Sequence, residues 1–416
     1  MKKLRIGIFG CGSRGLSLGK EFLLMKDCEV VALCEKRPER EEPAREVFGK
    51  DCKWFSDFDE FIKEDLDAVL LTNYFNEHAP YAIKCMERNI HILSECISNG
   101  TMAEGVQLVK AAKKSKSIYM LSENYPQMTI NREMQRVVAT GTLGKILYAE
   151  GEYNHPGDPN DTSFRKEYIY TAKHWRNFLP RTYYITHSLG PLMRATGATP
   201  KVVTAFCAAN NPAPASAAVA SHVLDKAAIV TMQNDDGSIF RVTGCANFGA
   251  HHNAYRICGT QGQVENVRGM GEKIMLRYNA WHLPEGMEEN NLYDAPINDP
   301  DAELIRASGH GGGDYVTVRM FVDYIRAGKQ LDHPYDVESA VAMSSCAILA
   351  HRSMLEGGKP YEIPDFNDEK WCKMYENDYL TPFYGPNGEE PTLPCCSVTD
   401  YKPTEEQIAR FVETLK

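Results

Sequence analysis

Residues 4–16 read Leu-Arg-Ile-Gly-Ile-Phe-Gly-Cys-Gly-Ser-Arg-Gly-Leu, an apolar strand that runs straight into Gly10-x-Gly12-x-x-Gly15 and then into the helical stretch Leu16–Met25. Three glycines at this spacing say little by themselves; at a first strand-to-helix turn they become specific. Gly10 permits the tight turn, Gly12 lets the backbone approach a pyrophosphate, and Gly15 lets the helix pack closely on the strand. Free N–H groups and the positive helix end, at Ser13 and Arg14, then face the phosphates. The second apolar run ends in Cys34-Glu35, twenty residues past Gly15. A carboxylate there accepts hydrogen bonds from both ribose hydroxyls and repels a 2'-phosphate, which favours NAD over NADP, although Lys36 and Arg37 can offset the repulsion. The bland alternative is that the glycines serve loop sterics alone.

Outward from this turn, apolar runs at Leu4–Phe9, Glu29–Cys34, Ala68–Thr72, Ile90–Leu93 and Ile118–Leu121 alternate with helical stretches such as Glu104–Lys114. That alternation predicts an α/β, Rossmann-type dinucleotide-binding domain over 1–124, with a parallel sheet of five or six strands. From about 145 the texture changes to strand-like runs at Ile146–Tyr153, Val202–Phe206, Ala228–Met232, Phe240–Ala246, Tyr255–Gly259 and Ile274–Tyr278, joined by turns such as Asp235-Asp236-Gly237. These predict a C-terminal α/β domain over 125–366 with a largely antiparallel open sheet, and 367–416 as an extension packing on the core. Helical patterns recur at Tyr315–Ala327, Val337–Glu356 and Glu405–Thr414; 281–304, rich in Asn, Pro, Asp and Glu, reads as a surface loop. No internal repeat is visible.

With 416 residues, 43% hydrophobic and 25% charged, the chain has the composition of a two-domain globular enzyme. A net charge of -10 repels nucleic acid and anionic membranes at long range, while leaving room for a local basic pocket. No run approaches the roughly 20 apolar residues of a membrane span, and the Arg-interrupted start does not suit a signal segment. Thirteen cysteines with no C-x-x-C spacing argue against a disulfide framework or zinc ribbon and for a cytoplasmic, reducing setting. The adjacent Cys395 and Cys396 leave a redox pair as the minor alternative.

Over most of its length the sequence resembles the Gfo/Idh/MocA family of sugar and inositol oxidoreductases. The likeness rests on the glycine turn, on Asp67-Ala68-Val69-Leu70-Leu71-Thr72-Asn73, on His78, and on Ile92-Leu93-Ser94-Glu95-Cys96-Ile97. It implies NAD as cofactor, with Thr72, Asn73, His78 and Glu95 beside it. Where the family has Lys-Pro after that Glu, this chain has Cys96-Ile97, a departure from ordinary family dehydrogenase chemistry. Cys96 has no Lys or His neighbour in sequence and reads as a small packed residue before a nucleophile. A narrower likeness, to the family's NAD-dependent α-N-acetylgalactosaminidases, rests on Tyr153-Asn154-His155, Tyr184-Ile185-Thr186-His187-Ser188-Leu189-Gly190-Pro191, Gly309-His310-Gly311-Gly312-Gly313-Asp314 and Ile363-Pro364-Asp365-Phe366. Those enzymes also lack the Lys.

Hydride removal from a secondary alcohol needs a base for the hydroxyl proton, and an imidazole suits that role. His187, at the head of the predicted helix Ser188–Ala195, is the candidate, against a capping or core histidine. Tyr184, three residues earlier, shares its face if that turn is helical. Tyr153 is an acid or base candidate by resemblance, or simply packed. His155 and His310 are expected in the sugar pocket. Asp314 is either a pocket group or the cap of the following helix. Trp175 and Arg176 offer an indole face and a guanidinium to a sugar, or pack in the core. His251-His252 do not make a metal pair, since adjacent strand residues point oppositely, and no metal is expected. Three functions remain. One is net NAD-dependent oxidation of a sugar, carbon 3 favoured. Another is a redox-neutral glycosidase working by oxidation, elimination, water addition and re-reduction. The third is a non-catalytic NAD-binding regulator. The resemblance also implies a homo-oligomer formed through the open sheet face.

Overall fold

The computed structural model describes residues 2–158, 162–331 and 333–416. The chain forms two compact units: Met1–Glu123 with Ala307–Ser344 and Asp365–Tyr379, and Asn124–Arg306 with Ser345–Pro364 and Leu380–Lys416.

The first unit opens with β1 (Leu4–Phe9), α1 (Ser13–Leu23), β2 (Cys28–Cys34), α2 (Glu41–Phe48), β3 (Lys53–Phe55), α3 (Phe58–Phe61), β4 (Ala68–Leu71), α4 (His78–Glu87), β5 (His91–Ser94), α5 (Met102–Ala112) and β6 (Tyr119–Leu121). Its six strands pair in parallel in the order β3-β2-β1-β4-β5-β6. Helices cover such a sheet on both faces, so its central strands read as unbroken apolar runs; Ile6, Ile8, Leu33 and Leu70 are fully buried. The sixth strand, Lys53–Phe55, escaped the sequence because three half-exposed residues carry no such run. A capping box between Thr101 and Glu104 starts α5.

The second unit holds α6 (Thr129–Ala139), β7 (Ile146–Asn154), α7 (Thr162–Tyr168), α8 (Thr186–Thr196), β8 (Pro200–Ala209), β9 (Asp225–Asn234), β10 (Ile239–Ala246), β11 (His252–Gly259), β12 (Gly262–Asn266), β13 (Lys273–Tyr278), β14 (Asn290–Asp294) and most of α9 (Ala302–Ala307). Next come α10 (Gly313–Ala327) and α12 (Glu369–Tyr375) of the first unit and β15 (Tyr361–Glu362) and α13 (Glu405–Leu415) of the second; α11 (Val337–Leu355) gives its first turns to the one and the rest to the other. The sheet runs β14-β13-β12-β11-β7-β10-β9-β8-β15 and is antiparallel except where β7 and β10 pair in parallel. The stretch 281–304 is not all loop: β14 and the start of α9 lie in it, their polar composition reflecting an exposed edge. Ala307–Ser344 groups with the first unit although it follows the second in sequence, because α10 lies on α1, with Phe22 and Phe321 6.5 Å apart edge to face.

Glycines let α8 lie against this sheet. A Cβ on Gly151 of β7 would stand 2.1 Å from the Ser188 carbonyl oxygen, and one on Gly244 of β10 would stand 2.2 Å from that of Arg181. The segment carrying residues 184–188 is therefore pressed onto two neighbouring strands by missing side chains.

Candidate active site

In the first unit the glycine turn is set by close approaches. Gly10 has φ +94°, and a Cβ on Gly15 would lie 1.9 Å from the Gly10 carbonyl oxygen, so α1 starts this near to β1 only with glycine. A Cβ on Gly12 would meet only the Arg37 guanidinium, at 3.7 Å, leaving that stretch of backbone open to a pyrophosphate. The Thr72 hydroxyl donates to the carbonyls of Phe9 (3.0 Å) and Gly10 (2.7 Å), tying the ends of β1 and β4 together. Asn73 donates to the Glu77 carbonyl at 3.2 Å, and its buried Oδ1 has no hydrogen-bond partner among the described residues, an acceptor left over by the fold. Glu35 is buried and braces the turn, accepting from the Cys11 N–H at 3.1 Å and the Arg37 N–H at 3.0 Å. These residues fit a dinucleotide laid across the carboxyl ends of the strands where their order reverses.

Of the other expected cofactor residues, His78 lies in the interior, whereas Arg14 and Glu95 are half-buried. His78, 1% exposed, bonds the Ile97 carbonyl through Nδ1 at 2.9 Å, and burial holds its imidazole below the ordinary range. Arg14 donates through Nε to Glu95 and forks onto Asp314, Nη1–Oδ2 and Nη2–Oδ1 each 3.0 Å. His310 Nδ1 meets the same carboxylate at 2.9 Å. Burial alone would raise the Asp314 carboxyl, yet His310 and Arg14 hold it well below the usual range. Asp314 is thus no helix cap: α10 begins at Gly313 behind Gly312 with no side-chain cap, and the carboxylate binds Arg14 instead. His310, expected with the sugar-binding domain, belongs to the first unit, since it lies in the turn that leads directly into α10. Cys96 is buried, its thiol 3.3 Å from Glu123 Oε2.

In the second unit His187 stands among three phenols. Tyr125 stacks on it at 4.1 Å with 10° between the rings, while Tyr153 (4.9 Å, 88°) and Tyr184 (5.0 Å, 80°) present edges. Tyr184 precedes α8, which starts at Thr186, so it reaches His187 from the incoming loop and not along a helical face. Pro191 lies inside the helix and has no N–H, which leaves the carbonyl of His187 without its ladder donor. The Tyr255 hydroxyl on β11 supplies one at 2.6 Å. The Ser188 hydroxyl bonds the Thr243 carbonyl on β10 at 2.7 Å. Burial pushes the Tyr153 phenol far above its ordinary range, Tyr184 and Tyr125 adding to the shift. The neutral phenol is therefore the favoured form of Tyr153.

Around this cluster, His155 is exposed with its ring 5.7 Å from Tyr153 and 4.7 Å from His251. Trp175 is half-buried and carries the Arg176 guanidinium over its face at 4.4 Å, so indole and cation form one platform. His252 instead pairs with Glu152 at 2.8 Å. Sequence reasoning missed Tyr125 and Tyr255. The signal for the second was present: a proline four residues after His187 in a helix demands an outside donor. Tyr125 gave none beyond its Pro126 neighbour.

Residues 4–123 match the Gfo/Idh/MocA oxidoreductase family, NAD-binding Rossmann fold, and residues 132–373 match the glycosyl hydrolase 109 C-terminal domain. Glycosyl hydrolase family 109 proteins of Stenotrophomonas maltophilia and Porphyromonas gingivalis are 24% and 26% identical, over 89% and 90% of this chain and 90% and 86% of theirs. The fold is shared with levoglucosan dehydrogenase in complex with NADH and levoglucosan (TM-score 0.73, 17% identity, 87% of this chain and all of that one). It is shared too with myo-inositol 2-dehydrogenase from Lactobacillus plantarum (TM-score 0.66, 18% identity, 87% of this chain and all of that one). With one family profile spanning more than half its length and the other filling the nucleotide-binding part, the chain belongs to the glycosyl hydrolase 109 family, NAD-dependent enzymes of the Gfo/Idh/MocA type.

Proposed function

We propose that this protein removes hydride from a secondary hydroxyl of a sugar or glycoside, at carbon 3, and that with a glycoside it completes a redox-neutral cleavage of the α-N-acetylgalactosaminidase kind. Labour divides along the chain, with 1–124 for the nucleotide and 125–366 for the sugar, apart from Ala307–Ser344, which groups with the first unit, and with 367–416 packed on the core. NAD held at the glycine turn supplies the hydride acceptor, and in its reduced form the donor for the closing reduction. Gly10, Gly12, Ser13, Arg14 and Gly15 shape the pyrophosphate site, Glu35 takes the adenosine ribose, and Thr72, Asn73, His78 and Glu95 support the remainder.

His187 takes the hydroxyl proton. The observation that carries this assignment is its setting: one imidazole, its backbone bonded from Tyr255, ringed by Tyr125, Tyr153 and Tyr184. A ketone at carbon 3 acidifies the hydrogen on carbon 2, so that proton passes to water as the aglycone leaves by elimination, and water then adds across the enone, its hydroxyl to carbon 1 and a proton to carbon 2. Tyr153, its ring edge against His187, protonates the departing oxygen, and Tyr184 bonds a neighbouring hydroxyl. His155, Trp175, Arg176 and His310 complete the sugar contacts. The glycosyl hydrolase 109 match over 132–373 favours cleavage over net oxidation.

Incubation with NAD and either aryl glycosides or free sugars separates the two outcomes. Aglycone release without net NADH supports the cycle; stoichiometric NADH accumulation supports oxidation alone. Failure of His187→Ala to lower either would leave a non-catalytic NAD-binding role. Thirteen free thiols support a cytoplasmic setting. Phe206 (61% exposed), Ile229 and Ile239 on the outer sheet face support a homo-oligomer, which light scattering of Phe206→Glu would test.

A further inference from the structure

We infer that the Glu95–Arg14–Asp314 cluster makes the nucleotide site prefer the oxidised over the reduced nicotinamide, with Asp314 as a positioning residue that acts through Arg14. The strand order places the adenosine end at Glu35, past β2, and the reversal of order at β1 and β4. The other half of a dinucleotide then lies over the ends of β4 and β5, and Glu95 directly follows β5. Two carboxylates surround one guanidinium there, so these three side chains together carry one net negative charge. All three side chains are withdrawn from water, Arg14 to 28%, Glu95 to 15% and Asp314 to 4% exposure. The oxidised ring carries a positive charge that the reduced ring lacks, so a fixed negative charge in a partly dry cleft holds the oxidised form more tightly.

The cluster is built with care for its geometry. Glu95 turns its second oxygen to the Cys96 N–H at 2.9 Å, and Asp314 takes both arms of the Arg14 fork. Gly309 leaves the room Asp314 needs, since a Cβ there would lie 2.7 Å from Oδ2. Ser308 fixes the same segment a second time, accepting from the Tyr315 N–H at 2.9 Å and donating to Glu21 at 2.9 Å. Asp314, 300 positions from Arg14 in sequence, and Ser308 thus tie one segment to the first helix at two points.

The inference rests on Glu35 taking the adenosine ribose. Dissociation constants for NAD and NADH are measured separately by titration calorimetry on the full chain, with folding checked by thermal melts. Asp314→Asn should weaken NAD by about fivefold more than NADH. Asp314→Glu, which keeps the charge, should preserve the wild-type ratio even if both affinities fall. Glu95→Gln removes the other carboxylate without touching α10 and must move the ratio in the same direction, which decides the matter if Asp314→Asn does not fold. Equal losses for the two cofactor forms in Asp314→Asn and Glu95→Gln would overturn the inference and leave the cluster as a structural tie. If Glu35→Gln binds both forms as the wild type does, the adenosine assignment is what has failed, since the ratio in the other variants is read independently.

Discussion

Replacing Gly151 by alanine tests whether the sheet sets the position of His187, the proposed base. The added methyl would stand 2.1 Å from the Ser188 carbonyl oxygen, about 1.3 Å inside ordinary contact, and both partners are backbone-anchored. β7 is held on both sides by β10 and β11, so the start of α8 must give way. Overpacking of this kind costs about 1–3 kcal/mol of stability, and displacing a proton acceptor by about 1 Å costs on the order of a hundredfold in turnover. The glycine turn belongs to the first unit and should keep its affinity for NAD. The assay is threefold: a thermal melt, calorimetric NAD binding, and turnover of the substrate established for the wild type. A variant that melts lower yet turns over at the wild-type rate would refute the claim that this contact places His187.

Three further outcomes follow from the geometry. Glu35→Gln should weaken NAD by about tenfold and NADP by less, because it removes a charge-assisted ribose contact and a brace on the turn; equal losses in calorimetry would remove the ribose assignment. Tyr153→Phe should slow cleavage of alkyl glycosides more than of nitrophenyl glycosides, whose better leaving group needs no acid; equal slowing would remove the acid role. His351 is fully buried, donates to the Pro394 carbonyl at 2.7 Å, and burial lowers its pKa to about 4, against roughly 6.5 unfolded. The unfolded chain therefore binds the extra proton first, so this histidine's contribution is intact above about pH 6.5 and is lost as pH falls towards 4, by about 3 kcal/mol at most. His351→Gln should flatten the fall in melting temperature over that window, and an unchanged slope would contradict the assignment.

The nucleotide half of the fold was legible because it is written in local, periodic signals. Ile6, Ile8 and Leu70 are buried on both faces, and Gly10, Gly12 and Gly15 have one steric purpose each. Short half-exposed strands such as Lys53–Phe55 and Asn290–Asp294 have no such signature and were passed over. His187, Tyr153 and Tyr184 do come together in space, but Tyr125 joins them from a segment whose sequence announces nothing. Asp314 misled for a related reason: an acidic residue at a helix start is normally a cap, and only tertiary structure reveals that Arg14 claims it.

Pro191 has a wider meaning for how this enzyme comes into being. By leaving the His187 carbonyl for Tyr255 to satisfy, α8 surrenders part of its own ladder to a strand far along the chain. An excised peptide of this helix should stay largely unstructured, and the setting of His187 should form only after the sheet has assembled beneath it. Amide exchange near residue 187 should consequently rise and fall with that of β11, so that partial unfolding of the sheet's centre silences the chemistry before the chain as a whole comes apart.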